Sequence, residues 1–220
     1  MNMKIQLKHL QNRTSNIRQD YATINKSIVD KLNPPNMYRF FCLSLYRNDY
    51  YKVRWRIKDL AKRTGEEETA LKNFNKEIEA VLVRKKYPVP INHPLIDFTM
   101  RSLYCIPPID RPNFITLSHL FMKVDLDIKV KGYYIKLLLI AEDNKILLSL
   151  NKLADKLGMG KKNVESYNLD LYSAGLLRYI PKGIELTPNE LLLDNDIAKQ
   201  RKEWNPINSK NVVKIAFKSK

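Results

Sequence analysis

At 220 residues the chain is long enough for one large domain or for two small ones, each with a core of its own. Its 39 Lys and Arg against 23 Asp and Glu leave a formal net charge of +16, a field that attracts polyanions, nucleic acid first and acidic membrane surface second. No run approaches the roughly 20 apolar residues that a membrane span needs, and Met1 to Asp20 lacks the apolar centre of an export signal, so a cytoplasmic protein with no membrane partner is expected.

Residues 1–20 are polar and basic and read as an arm that orders on a polyanion. From residue 21 the chain carries a pattern that it later repeats. The stretch RIKDLAKRTGEEETAL at 56–71 is echoed by SLNKLADKLGMGKKNV at 149–164, with Gly65 and Gly158 lying 93 residues apart. Sliding the sequence by that offset places Tyr21 on Phe114, Thr23 on Thr116, Phe40 and Phe41 on Tyr133 and Tyr134, Leu60-Ala61 on Leu153-Ala154, Asn75 on Asn168 and Val83 on Leu176. Apolar meets apolar without a gap from residue 21 to residue 83, the signature of a duplicated structural unit.

The second copy is the clearer one. Tyr133, Tyr134, Leu137, Leu138 and Ala141 recur at helical spacing, and Asp143-Asn144 supplies a stop. Ser149 is a good N-cap for a short helix over Leu150–Leu157, and Gly158 ends it by accepting the left-handed conformation. A third helix is predicted from about Lys161 to Ala174, with Val164, Tyr167, Leu171 and Ala174 as its inner stripe. After Gly175, the strings LLRYI, PKG and IELT read as a two-stranded hairpin with Lys182 near its tip. In the first copy the prolines of YPVPINHP and PPIDRP punctuate the strand SLYCI, closing a longer hairpin before the second unit begins.

Helices joined by a short turn and followed by a basic hairpin make a winged helix. The string from Leu150 to Leu177, with Leu153-Ala154, Gly158, Val164, Leu171 and Gly175-Leu176-Leu177, resembles the winged helix-turn-helix of bacterial replication and regulatory proteins. The preceding FITLSHLFMKVDLDIKVKGYYIKLLL resembles the strand-plus-helix entry of phage and plasmid replication proteins. The likeness covers most of residues 21–187, more faintly in the first copy. Two such units in one basic chain are similar to plasmid replication initiators, and the resemblance implies a protein that binds origin DNA.

The expected fold is mainly α with small β-hairpin wings, an α+β class built as two tandem winged-helix domains related by internal duplication. Its parts are the arm at 1–20, a first domain with an extended wing at 21–107, a second domain at 108–190, and a helix and strand extension at 191–220.

A helix entering the major groove reads with its first turns. In the second copy those outward positions are Lys161, Lys162, Asn163, Glu165 and Ser166: lysine reaches guanine or phosphate, asparagine can bond adenine twice, and serine serves base edges or phosphate. Arg178 and Lys182 of the hairpin are candidate phosphate or minor-groove contacts. The alternative for Lys161 and Lys162 is an ordinary solvated helix face, and for Arg178 and Lys182 a hairpin that is only solubilising.

The first copy has Glu66, Glu67 and Glu68 where the second has Met159, Gly160 and Lys161, carboxylates that suit a helix start and repel phosphate. Its candidate DNA contacts are Lys72, Asn73 and Lys76 further along, with Arg54 and Arg56 before and Arg84, Lys85 and Lys86 after. The charge difference points to two jobs: sequence reading by the second unit, and backbone contact, homodimer pairing or docking of a partner protein by the first.

No catalytic constellation is expected. His9, His93 and His119 are far apart, there is no nucleotide-cradling G-x-x-x-x-G-K-[ST] loop, and Cys42 and Cys105 each sit in an apolar stretch that suits buried thiols. The chain reads as a non-enzymatic binder of double-stranded DNA, without cofactor or metal. Replication initiation for a plasmid, phage or mobile element leads; transcriptional regulation and a winged-helix protein-interaction module are the alternatives.

Overall fold

The computed structural model describes residues 21–46, 52–54, 57–78, 81–85, 103–105, 114–187 and 191–193, with backbone alone at 52–54, 75–76, 83–85, 103–105 and 193. The expected arm at 1–20, the proline segments, Arg56, Lys86 and the extension beyond residue 193 lie outside the described residues. The fold is mixed α+β, with three small antiparallel sheets.

The first half runs β1 (Tyr21–Asn25), a 3-10 turn (Lys26–Ile28), α1 (Pro34–Ser44), β2 (Lys52–Arg54), α2 (Ile57–Thr64), a second 3-10 turn (Glu68–Leu71), α3 (Phe74–Ile78), β3 (Val83–Lys85) and β4 (Leu103–Cys105). The second half runs β5 (Phe114–Ser118), a 3-10 turn (His119–Lys123), α4 (Ile128–Ile140), β6 (Lys145–Ile146), α5 (Leu150–Leu157), α6 (Lys161–Ser173), β7 (Leu177–Ile180), β8 (Gly183–Leu186) and β9 (Leu192–Leu193). The helix α5 begins and ends 93 residues after α2, and the sheet order β2-β4-β3 of the first half is matched by β6-β8-β7 in the second.

Two central helices hold the molecule together. Asn33 caps α1 by accepting from the Asn36 amide at 3.0 Å, and prolines occupy its first two positions, where a missing N–H costs nothing. Asp127 caps α4 by accepting from the Lys129 amide at 2.8 Å. All residues of α4 from Val130 to Ile140 are buried, so this helix is covered on every side. Full burial of side chains such as Leu137 and Phe121 contributes about 1.5–3 kcal/mol each.

The halves are not strung apart on a linker; they share one core. α1 packs on α4, and a Cβ at Gly132 would lie 1.6 Å from the Pro34 carbonyl oxygen, so glycine alone allows the approach. Phe121 stands between the helices, with its ring 5.6 Å from Phe41 and 5.7 Å from Tyr134. The buried Lys136 Nζ donates to the carbonyls of Leu32 at 3.0 Å and Leu157 at 3.4 Å, tying the start of α1 to the end of α5. Strands β1 and β5 then join the halves in one sheet, antiparallel, with Thr23 opposite Thr116, and β9 pairs along the other side of β5.

Candidate nucleic-acid interface

The second half presents its candidate surface on α5, α6 and the β7–β8 hairpin. Ser149 Oγ accepts from the Lys152 amide at 3.5 Å and starts α5. Leu153, Ala154 and Leu157 face the core. Gly158, at φ 62°, turns the chain, and the Met159 amide returns to the Ala154 carbonyl at 3.0 Å, satisfying an orphan carbonyl of the helix end. Three residues later α6 begins in a new direction.

The helix α6 buries Val164, Asn168 and Leu171 and exposes Lys161, Lys162, Asn163, Glu165 and Ser166. Its N-cap is Gly160, which brings no side-chain hydrogen bond, and its first turn holds no acidic residue. Two lysines therefore sit at the positive end of the helix dipole, an arrangement that is locally unfavourable and that an approaching anion would reverse. Asn168 is buried at 2% exposure and accepts a hydrogen bond from the Tyr133 hydroxyl at 2.8 Å.

Beside α6, β7 and β8 form the hairpin. Lys182 occupies its tip at φ 71° and is exposed. Gly183 is required by close approach, since a Cβ there would meet the Ile146 carbonyl oxygen at 2.1 Å. Arg178 is not a free cation: its Nε donates to Glu185 Oε2 at 2.8 Å across the hairpin, which partly neutralises it as a phosphate contact.

The first half differs in ways that the sequence reading did not foresee. The stretch expected to start a third helix is a 3-10 turn over Glu68–Leu71, and α3 is only five residues long. Glu66 is not a dipole partner facing solvent. It forms a nearly buried ion pair with Arg39 of α1, whose Nε donates to Glu66 Oε2 at 2.9 Å. Arg39 also donates to Asn36 Oδ1 at 2.5 Å and lies over the Phe74 ring, while Asn36 and Asn33 both donate to Glu77. This network spends one carboxylate of the Glu66-Glu67-Glu68 run inside the protein.

Of the remaining candidates, Lys72 and Asn73 are exposed between the 3-10 turn and α3. Lys76 lies on α3, Arg54 on β2, and Arg84 and Lys85 on β3, the last three on the two outer strands of the sheet β2-β4-β3. The structure thus exposes Lys161, Lys162, Asn163 and Ser166 in the first two turns of α6, with the hairpin of Arg178 and Lys182 adjoining in sequence, and leaves the first-half candidates on the other half of the chain.

Sequence reasoning missed an apolar patch. Leu169 and Tyr172 of α6 and Tyr179 of β7 are each more than half exposed, and the two tyrosine rings lie 5.7 Å apart. The signal was present: positions 169 and 172 fall outside the Val164–Leu171 stripe. Burial, followed by the charge of Glu165 and by Tyr172, raises the Tyr179 hydroxyl pKa above its usual value. Elsewhere, Cys42 is fully buried and its thiol is pushed up to about 12, chiefly by burial, which makes it inert as a nucleophile. Among the described residues no group of three or more His, Cys, Asp or Glu is placed to hold a metal ion, and no helix is long and apolar enough to cross a membrane. No protein-family profile, curated protein or solved structure matches the chain.

Proposed function

We propose that the protein is a sequence-specific binder of double-stranded DNA built from two winged helix-turn-helix units related by internal duplication. The reading is that it starts replication of a plasmid, phage or mobile element, without catalysing a reaction itself. The observation that carries the proposal is the exposed start of α6, where Lys161, Lys162 and Asn163 follow the Gly158 turn on a helix with a glycine cap and no acidic first turn. Such a helix end attracts phosphate, and its asparagine and serine can address base edges. The duplication is supported by the matching element order, by the coincidence of α2 with α5 at the 93-residue offset and by positive φ at both Gly65 and Gly158. A net charge of +16 adds the long-range attraction.

A protein-interaction role for part of the molecule is favoured by one observation, the Leu169, Tyr172 and Tyr179 patch. Transcriptional regulation would use the same DNA contacts as initiation, and direct repeats beside the gene would favour initiation.

The test is binding of the full chain to its own upstream region across a salt series. Several phosphate contacts make log K fall linearly with log salt. Lys161→Ala/Lys162→Ala should weaken binding about tenfold or more and reduce that slope by about 2. Its thermal stability should hold or rise, because two cations leave the positive end of a helix. Salt-independent binding, or an unaffected double variant, rejects the reading.

A further inference from the structure

The patch of Leu169, Tyr172 and Tyr179 lies beside an open sheet edge. β7 is the outer strand of the sheet β6-β8-β7. The Thr187 amide donates to the Leu176 carbonyl across the hairpin at 3.0 Å, and in an antiparallel ladder such bonded pairs recur at every second position. Arg178 and Ile180 therefore turn their main-chain groups to β8, while those of Tyr179 point to the outer side, where no strand lies among the described residues. The Tyr179 side chain is 51% exposed, and its ring meets that of Tyr172 on α6. Main-chain groups of this kind beside apolar side chains are a template for one more strand.

The surrounding charge favours a basic occupant. Beyond its first turn α6 has no basic residue and two exposed acids, Glu165 and Asp170. Glu165 stands close enough to Tyr179 to help raise the pKa of its hydroxyl. Phosphate is repelled from such ground, and an apolar strand flanked by cations is drawn to it.

The chain itself contains one. Past β9 it continues through residues 194–220, which carry seven Lys and Arg against three Asp and Glu. Within them Val213, Ile215 and Phe217 alternate with Lys214, Ala216 and Lys218, a spacing that sets three apolar side chains on one face of an extended strand and two cations on the other. The nineteen residues 194–212 reach roughly 60 Å when extended, more than the roughly 40 Å across a folded unit of this size, so the end of β9 is within range of β7. Tethering gives the segment an effective concentration on the order of millimolar, an advantage that no separate partner has.

We propose that residues 213–217 of this chain add as a fourth strand to the outer edge of β7 and seat Val213, Ile215 and Phe217 on Leu169, Tyr172 and Tyr179. The main-chain groups of Tyr179 then gain partners, and the acids of α6 gain nearby lysines. The added strand caps an edge that would otherwise pair with other chains, and a partner protein that uses the patch must first displace it.

The test compares the full chain with its Ile215→Ser/Phe217→Ser variant, which keeps every charge and alters nothing in the described core. Amide hydrogen exchange is followed residue by residue by NMR. The Tyr179 amide should exchange at least about tenfold faster in the variant, while Arg178 and Ile180, which face β8, keep their rates. Equal Tyr179 rates in the two proteins overturn the inference. Protection of Tyr179 that grows with protein concentration also overturns it, because the strand then comes from a second copy. No DNA enters the measurement, so its outcome is independent of the DNA-binding reading.

Discussion

The hydroxyl of Tyr133 on α4 donates to the side-chain carbonyl of Asn168 on α6 at 2.8 Å, deep in the core of the second half. This bond fixes the helix that carries Lys161 and Lys162 to the central helix of the molecule. Burial and the neighbouring Tyr179 raise the Tyr133 pKa well above its usual value, so the hydroxyl stays a donor at neutral pH. The offset equivalent of Tyr133 is Phe40, which has no hydroxyl to give.

Tyr133→Phe removes the donor and leaves the Asn168 amide buried without it. The expected loss is about 1–3 kcal/mol in denaturant unfolding. Adding Asn168→Leu should recover part of that loss, because no polar group is then stranded. A double variant less stable than Tyr133→Phe alone would show that the pair does not act as a unit.

The Arg39–Glu66 pair is nearly buried, at 9% and 11% side-chain exposure. Glu66→Ala leaves a guanidinium without its main partner in the interior and should cost about 3–5 kcal/mol. Arg39→Met with Glu66→Leu should cost less than either single change, since both charges go together. Chemical unfolding of the three variants reads the difference.

Gly132→Ala should be among the most damaging single changes in the chain. Its Cβ would sit inside the Pro34 carbonyl, backbone against backbone, so α1 and α4 must move apart. A loss of about 3 kcal/mol or more is expected. Gly160→Ser is the contrasting case. A Cβ there meets nothing nearer than the Asn163 side chain at 3.8 Å, and a serine cap should raise the melting temperature slightly.

Glu185→Gln frees Arg178 from its partner on the hairpin. Binding to duplex DNA should tighten about two- to fivefold at low salt and return toward the parent value at high salt. Stability should change by no more than about 1 kcal/mol, because Arg178 is exposed to solvent and glutamine keeps the shape of the half-buried Glu185. Unchanged affinity at low salt would mean that this face of the hairpin does not approach phosphate.

Stability should fall steeply in strong alkali. Burial raises the Cys42 thiol from 9.0 to about 12 and raises Tyr38 and Tyr133 beyond the usual tyrosine range. The folded state therefore keeps protons that the unfolded chain releases above pH 9 to 10, and folding loses free energy as pH climbs through that window. The buried Lys131 and Lys136, lowered by burial from 10.5, work in the opposite sense, but their effect is complete once the unfolded lysines have titrated near 10.5. The drop should be steepest between about pH 10.5 and 12. Cys42→Ala should flatten it whatever its own packing cost, as a pH series of unfolding midpoints would show.

Much of the second half was legible in the sequence because its signals are local. Ser149, Gly158 and Gly175 mark boundaries through backbone preferences that need no tertiary partner, and the predicted Leu150–Leu157 helix is the one observed. Lys161, Lys162, Asn163 and Lys182 were legible as exposed positions from the periodicity of Val164 and Leu171 and from the PKG turn. The first half was less so. Its third helix was expected from likeness to the second, but Glu66 is drawn to Arg39 and the segment settles as a 3-10 turn and a short helix.

By itself, then, the sequence determined the boundaries and the buried faces of the helices in the second half, which depend on neighbours within a few turns of chain, and it displayed the 93-residue recurrence. Only the tertiary structure decided which cations are free and which are spent, because Arg178 and Arg39 find their carboxylates 7 and 27 residues away. It also decided how the two halves meet. The self-pairing of Thr23 with Thr116 depends on strands 93 residues apart, and no local preference of either strand encodes its partner.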